Sequence, residues 1–475
     1  MSSPPGRIRA TDLHDLALCP HRVHLERRLG PDQRDPPSAA RQRLMRRGLD
    51  FERQVAETLG WPQPVYPPGD FEAGARATLE LMRARVPGIY QGVVQDGRRL
   101  AVPDLLERTP GASELGDHHY RPGDIKAGLV PQAHQALQVG FSALLLEAAQ
   151  GRLPETGFLV MGDSRRVELP LDRLLPATRE VLSRVQRIID GRETTSPFLC
   201  PACGTCPWRG RCLPDLVERA DLSLVDGMTP TRRRLLEARG VRSLDALARL
   251  EPGTGDPRRP PLDLERLVPQ ARALCEGRVE LSRPLELPEV EGGLLLEAER
   301  DPLQAGAVLT LAWRSLDAAP ASGTVRLLTS PDECRAAAGA LEQAARNNGG
   351  RLFHFGGAAP AALARLGDEA GLEPAALEAL SRRLWDLRST LRRGAAWLPV
   401  WRYRREQVAA ALRGRPLPWP GEGSDTFLLA ETLREGEDPA LREAIEARCR
   451  SDLDQLAAIL GWILAQPHRP PRRPR

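Results

Sequence analysis

Lysine is nearly absent from this chain of 475 residues: of 67 basic side chains, a single one, Lys126, is lysine. Arginine is accepted at almost every basic position, so the position that refuses it asks for something a guanidinium does not supply. Long apolar runs are also missing. No stretch of about 18 apolar residues occurs, which excludes a membrane-spanning helix, and the opening MSSPPGRIRATDL lacks the apolar core of a secretory signal. A cytoplasmic protein with no membrane partner is therefore expected. Excess charge is scarce as well. A net charge of +4 does not identify a nucleic-acid partner, although arginine suits bidentate phosphate contacts. No internal repeat is found. With 41% hydrophobic and 27% charged residues, the composition fits a globular protein of two to four domains.

Cysteine is sparse and unevenly placed. Of eight, four crowd into CPACGTCPWRGRC (Cys200, Cys203, Cys206, Cys212), while Cys19, Cys275, Cys334 and Cys449 are scattered. In a reducing compartment such a cluster reads as a metal or iron–sulfur site before it reads as disulfides. The scattered thiols have an ordinary role as small buried side chains.

The hydrophobic pattern implies α/β domains at both ends of the chain with a helical insert between them. TDLHDLALCPHRVHLERRL and RQRLMRRGLDFERQVAETLG read as helices. From about residue 90 to 170, strand-like runs (GVVQDGRRLAVPDLLERTP, HHYRPGDIKAG, TGFLVMGDSRRVELP) surround the helical VPQAHQALQVGFSALLLEAAQG. LDRLLPATREVLSRVQRIIDGRE then leads into the cysteine cluster. The expected divisions are 1–215, a helical module over 216–284, an α/β domain over 285–467 and a disordered basic tail over 468–475.

On a strand, residues two apart face the same side, so Asp124 and Lys126 of GDIKAG project together. Asp104 of AVPDLLER, on a neighbouring strand, can join them. Two carboxylates holding a hard cation beside an ammonium form a hydrolytic centre for phosphodiesters. Lysine suits such a place because its ammonium is a compact point charge, whereas a guanidinium is planar and broad. The alternative is an ordinary Asp-Ile-Lys on a surface edge strand.

VPDLLER, YRPGDIKAG and QALQVGFSALLLEAAQGRLPETGFLVMGD resemble the successive motifs of the RecB-like branch of the PD-(D/E)XK nucleases, whose fold is restriction-endonuclease-like. The resemblance implies that Asp104 and Asp124 hold Mg²⁺ or Mn²⁺, with Glu52 and the Ile125 carbonyl as further ligands. It makes Lys126 the group that orients and activates the attacking water, and Gln138 a positioning residue. Two positions depart from the pattern: Phe51 stands where a histidine is usual, and Ser142, beside Phe141, replaces a tyrosine. In the AddB type of this branch a [4Fe–4S] cluster closes the domain, with one cysteine far upstream and three just after it. Cys19, Cys203, Cys206 and Cys212 match those ligands, Cys200 is a spare, and structural Zn²⁺ is the alternative. The implied activity is metal-dependent DNA cleavage in processing or repair, on single strands or free ends, with a helicase as a candidate companion. The rival is a non-catalytic nucleic-acid-binding subunit on the same scaffold.

LVDGMTPTRRRLLEARGVRSLDALARL resembles a helix-hairpin-helix turning at Arg239-Gly240-Val241, where backbone N–H groups and Arg232, Arg233, Arg234 and Arg242 would face a phosphate. A helical spacer with a glycine cap is the equal alternative. The last region resembles the RNase H-like exonuclease domain (YprB type) that follows the nuclease in one RecB-like family. Its acidic positions match Glu297, Glu299 and Asp452, but RLFHFGGAAPAALARL lacks the further aspartate and Arg448 stands near the last acid, so a degenerate site is expected. His118 and His119 are expected as exposed loop residues, with metal ligation as the alternative. AAWLPVWRYRREQ reads as a half-buried helical surface, with a single-strand stacking platform as the alternative.

Overall fold

The computed structural model describes residues 7–251, 262–300, 308–319, 322–328, 330–370, 372–394, 396–418 and 439–471. The chain forms mixed α/β structure in two compact units, Met1–Gly210 and Arg211–Arg475. Among the described residues no helix is long and apolar enough to cross a membrane.

In the first unit, β1 (Ile8–Arg9) leads into α1 (Ala10–Leu18) and α2 (Pro20–Arg28). The pattern expects one helix here, but Cys19, at φ −164° and ψ 119°, is extended and separates two. The physical reason is Pro20, whose ring disfavours helical backbone at the residue before it while being well suited to the first helical position itself. Next come α3 (Ala39–Leu59), capped by the Ser38 hydroxyl and ended by left-handed Gly60, and α4 (Phe71–Arg83), capped by the Asp70 carboxylate.

The strands β2 (Gly88–Tyr90), β5 (Leu105–Ser113), β6 (Gly116–Lys126), β7 (Thr156–Met161) and β8 (Arg166–Pro170) form one sheet in that order. All its pairs are antiparallel except β6–β7. β3 (Val94–Asp96) and β4 (Arg99–Ala101) pair with β1 in a small second sheet. A parallel pair requires a crossover, supplied here by α5 (Ala133–Gln150). The run LQVGFSALLL in α5 is apolar on nearly every side, as a helix packed on several fronts must be. It packs against α1, β6 and α6 (Leu171–Ile189), burying Phe141, Leu145 and Leu146 with Tyr120 of β6. Each such side chain contributes roughly 1.5–3 kcal/mol through burial. On the other sheet face, Phe51 and Val55 of α3 pack on Leu105, Ile125 and Phe158. The sheet is thus covered on both faces around β6.

In the second unit, α8 (Pro230–Glu237), α9 (Leu244–Ala248), α10 (Leu264–Glu276) and the short strands β9 (Glu280–Leu281) and β10 (Leu285–Glu286) precede a five-stranded sheet. Its order is β13 (Thr324–Leu327), β12 (Val308–Ser315), β11 (Leu294–Arg300), β14 (Leu352–His354) and β15 (Leu384–Asp386). The first three are antiparallel and the last three parallel. α11 (Pro331–Asn348), α12 (Ala358–Ala370) and α13 (Pro374–Arg383) share one apolar core with this sheet, and α14 (Leu387–Arg393) follows β15. α15 (Arg405–Leu412) and α16 (Pro439–Leu464) pack on each other, and α16 also meets β11 and β12.

Two local expectations are corrected. His118 and His119 are not exposed loop residues: both lie on β6 at 3% and 4% exposure, and His118 Nε2 lies 3.0 Å from the Met82 carbonyl. Strand pairing extends farther back from GDIKAG than the polar HH suggests. The start of the expected disordered tail is ordered, because His468–Arg469 pairs in parallel with Leu285–Glu286 and Arg469 bonds Glu286 at 3.1 Å. Residues 472–475 of that tail lie outside the described residues.

Candidate functional site

Asp124 and Lys126 stand at the C-terminal end of β6, on the α5 side of the sheet, and Asp104 immediately precedes β5. The antiparallel register pairs Leu105 with Gly123, so Asp104 arrives beside Asp124. The Asp104 carboxylate accepts a 2.7 Å hydrogen bond from the Ile125 N–H, while the Asp104 N–H donates to Asp124 Oδ1 at 3.4 Å. Lys126 Nζ lies 3.1 Å from Asp124 Oδ2 and 3.8 Å from Asp104 Oδ2. The lone lysine thus bridges two carboxylates from adjacent strands.

Burial and the neighbouring Asp124 carboxylate push Asp104 up to about 8. Burial opposes the Lys126 ammonium, but the Asp124 and Asp104 carboxylates outweigh it and raise its pKa. Lys126 is therefore a firmly held cation at neutral pH.

Glu52, on α3, accepts 2.8 Å hydrogen bonds from the Tyr90 hydroxyl and from Gln91 Nε2. Its charge acts on both Asp104 and Lys126. Burial, followed by the bond to Glu52, raises the Tyr90 pKa and keeps the phenol a donor. Tyr90 and Gln91 are not among the residues singled out from sequence; the signal available was GIYQG, an aromatic–amide pair before the first acidic strand. The backbone ties them in as well, since the Gln91 N–H donates to the Asp104 carbonyl at 2.9 Å.

Gln138 is half-buried on α5, and its side chain forms no hydrogen bond among the described residues; its carbonyl accepts one from the Ser142 hydroxyl at 3.0 Å. One turn earlier, His134 feels the Lys126 charge and packs edge-on against His14 of α1 at 4.7 Å between ring centroids. Burial first, then His14, lowers the His134 pKa. Both histidines escaped the sequence reading because neither stands in an acidic or cysteine motif. Phe51 belongs to the apolar layer under the sheet and offers no ligand.

The thiols of Cys19, Cys200, Cys203 and Cys206 converge within the first unit. Cys200 Sγ is 3.8 Å from Cys203 Sγ, and the Cys200 N–H donates to Cys203 Sγ at 3.4 Å. The Cys19 thiol is hydrogen-bonded with that of Cys200, and this bond together with burial pushes its pKa up. Cys206 lies within the field of Cys19 and Cys200, and burial raises its pKa. All four are free thiols, half-buried, joined across the chain from the α1–α2 break to the 3₁₀ turn at Pro201–Thr205. Cys212 stands on the helix α7 (Arg209–Glu218), in the second unit. Four gathered thiols are the donor chemistry that a cluster or zinc requires. Among the described residues no three His, Cys, Asp or Glu side chains are spaced as a ready metal cage.

In the second unit Glu297 of β11 and Asp452 of α16 meet through an arginine from α15. Arg405 forms an ion pair with Glu297 and bonds Asp452 at 2.8 Å; Arg448 adds a 3.3 Å contact to Asp452. The two carboxylates raise the Arg405 pKa despite its burial. Glu299 lies two residues along β11 from Glu297, on the same face. Asp386 of β15 supplies an acid near His354, but its carboxylate is used: it accepts bonds from the N–H groups of Gly356 (2.7 Å) and Arg388 (3.0 Å) and from the Ser389 hydroxyl (2.7 Å).

The hairpin at Gly240 closes with φ +82° and a Val241 N–H to Leu236 carbonyl bond of 3.0 Å, the arrangement of a glycine-capped helix end. Arg232 and Arg233 pair with Asp263 and Asp221, at 3.4 and 3.3 Å. Trp397 lies on the short strand β16 (Ala396–Trp397), not on a helical surface. No protein-family model matches this chain, and no curated protein is similar to it.

Proposed function

We propose that the chain is a metal-dependent deoxyribonuclease of the RecB-like PD-(D/E)XK kind. The observation that carries this reading is the Asp104–Lys126–Asp124 contact at the end of β6, next to the parallel strand β7. Asp104 and Asp124, with Glu52 held by Tyr90 and Gln91, would hold Mg²⁺ or Mn²⁺. Such an ion, when bound, lowers the pKa of a water and screens charge developing on the phosphodiester. Lys126 keeps a donor-only ammonium at that point and orients the incoming oxygen. α5 packs against β6, the strand that carries Asp124 and Lys126, and such support serves positioning. Cys19, Cys203 and Cys206, with Cys200 or Cys212 as the fourth, would hold a [4Fe–4S] cluster, or structural Zn²⁺, tying the start of the first unit to its end. The proposed substrate is DNA, single-stranded or with free ends, delivered where a helicase supplies such strands. The second unit is read as an RNase H-like domain without two-metal chemistry, because Arg405 takes up Glu297 and Asp452.

The rival reading, a non-catalytic nucleic-acid-binding subunit, is favoured by Phe51, which lies in the apolar layer, and by Ser142, whose hydroxyl bonds back to its own helix. Anaerobically prepared wild type is expected to cleave end-labelled DNA with Mg²⁺ or Mn²⁺. Lys126→Ala and Lys126→Arg are each expected to lose at least about 100-fold in rate. Unchanged circular dichroism in both variants would show that the fold is not the cause. DNA binding by wild type without any cleavage selects the rival.

A further inference from the structure

Within the second unit a cavity of about 230 Å³ opens beside Asp226, lined by Arg266, Arg392, Arg393, Trp397 and Tyr403. Asp226 is buried, at 7% exposure, and meets two guanidinium groups: Arg392 at 3.0 Å and Arg266 at 3.3 Å. Arg393 is exposed and has no carboxylate partner among the described residues. Among the described residues that line it, three guanidinium groups against one carboxylate leave an excess of two positive charges in a partly enclosed space. The floor is rigid and neutral. The Tyr403 hydroxyl donates to Gln270 Oε1 at 3.0 Å and accepts from the Leu398 N–H at 3.1 Å, and both side chains are buried. Arg392 lies over the Tyr403 ring, 5.7 Å from its centroid, so that guanidinium is steered from both sides. Half-buried Trp397, with its indole N–H donating to Ser282 at 3.0 Å, leaves a fixed ring at the wall.

From these features we infer that the cavity binds the terminal phosphate of a nucleotide, with its nucleoside against Trp397. A surplus of two positive charges matches a phosphomonoester, which is largely dianionic at neutral pH because its second pKa is about 6. A phosphodiester inside a strand carries one negative charge and leaves one of the two surplus positive charges unmatched. Arginine supplies the planar, bidentate donors that phosphate oxygens accept. The volume is below the roughly 300–1,000 Å³ of drug-sized ligand sites, which suits a phosphate held inside with its nucleoside at the mouth against Trp397. Two sources share this chemistry: a free mononucleotide and the phosphorylated end of a strand. The inference does not rest on the nuclease reading, since no divalent cation or cleavage enters it.

The test is calorimetric titration of the full-length Lys126→Ala chain without divalent cation. The probes are deoxyadenosine monophosphate and a short oligonucleotide with and without a terminal phosphate. One site per chain is expected for the mononucleotide, weakened ~10-fold by Arg393→Glu, an exposed position whose change leaves the Asp226 pairs intact. Binding of the phosphorylated oligonucleotide but not its unphosphorylated twin identifies the strand end as the source. Binding of the mononucleotide alone identifies the free nucleotide. Absence of binding for every probe overturns the inference, as does binding that Arg393→Glu leaves unchanged.

Discussion

At the scale of single residues, each unit sets one cation between two carboxylates, but with a different basic side chain. Lys126 sits between Asp104 and Asp124 as a slender ammonium, 3.1 Å from the second carboxylate and 3.8 Å from the first. Arg405 sits between Glu297 and Asp452 as a fork, its several N–H groups distributed over both acids. With Arg448 also on Asp452, two guanidinium groups match the two acids. Replacing Arg405 leaves two acids buried against each other. Arg405→Met is therefore expected to destabilise the second unit by about 3–5 kcal/mol, the cost of leaving buried charge without its partner. Thermal unfolding at neutral pH checks this, and the loss should shrink when Glu297→Gln is added, because the second change removes one of the stranded charges.

At the scale of elements, the site depends on how closely β6 and β7 can pair under α3. Gly123 is paired with Phe158, and a Cβ at Gly123 would fall 2.3 Å from the Phe158 ring. Glycine is required there by a side chain, not by its own backbone angles. Phe158 in turn carries the Arg166 guanidinium over its face at 3.6 Å, and Arg166 and Arg121 bridge to Glu107 and Glu168 across three strands. Gly123→Ala is expected to destabilise the fold by about 1–3 kcal/mol through overpacking. Phe158→Leu in the same chain should recover part of that loss, and a double-mutant cycle by chemical denaturation measures the coupling. A second element-scale device is the Cys19–Pro20 break. It turns what would be one long helix into two and leaves Cys19 at the corner, with the Leu18 carbonyl 3.8 Å from Cys200 Sγ.

At the scale of the molecule, the cysteines bring together residues from near both ends of the first unit. Cys19 lies near one end of that unit and Cys200, Cys203 and Cys206 near the other, so a bound cluster or zinc ion would remove loop entropy over nearly the whole unit. Cys200 and Cys212 are the two candidates for the fourth ligand. Anaerobic wild type is expected to be brown. Cys19→Ser, Cys203→Ser and Cys206→Ser should each lose the visible absorption, and of Cys200→Ser and Cys212→Ser only the one that removes the fourth ligand should lose it. Loss on Cys212→Ser with retention on Cys200→Ser would place Cys212 in the set, and a colourless chain containing stoichiometric zinc would identify the alternative metal.

Much of this was legible without coordinates where the signal is local. Alternation and helical spacing mark the strands around GDIKAG and the buried run of α5; the spacing of two places Asp124 and Lys126 on one face; and the crowding of thiols marks their end of the chain. The broad α/β character follows from the same periodicities. What the sequence could not carry is the pairing of distant groups. Arg405 stands 108 positions from Glu297, Tyr90 stands 38 from Glu52, and His14 meets His134 across 120; nothing in their neighbourhoods announces a partner. His118 and His119 look like polar loop residues because hydropathy registers their type, while their burial follows from strand pairing that begins at Gly116. Local chemistry limits which groups can serve, since a carboxylate, thiol or ammonium has its properties wherever it stands. Which of them meet depends on sheet register and helix packing, because electrostatic and hydrogen-bond energies depend on distance in space and not on separation along the chain.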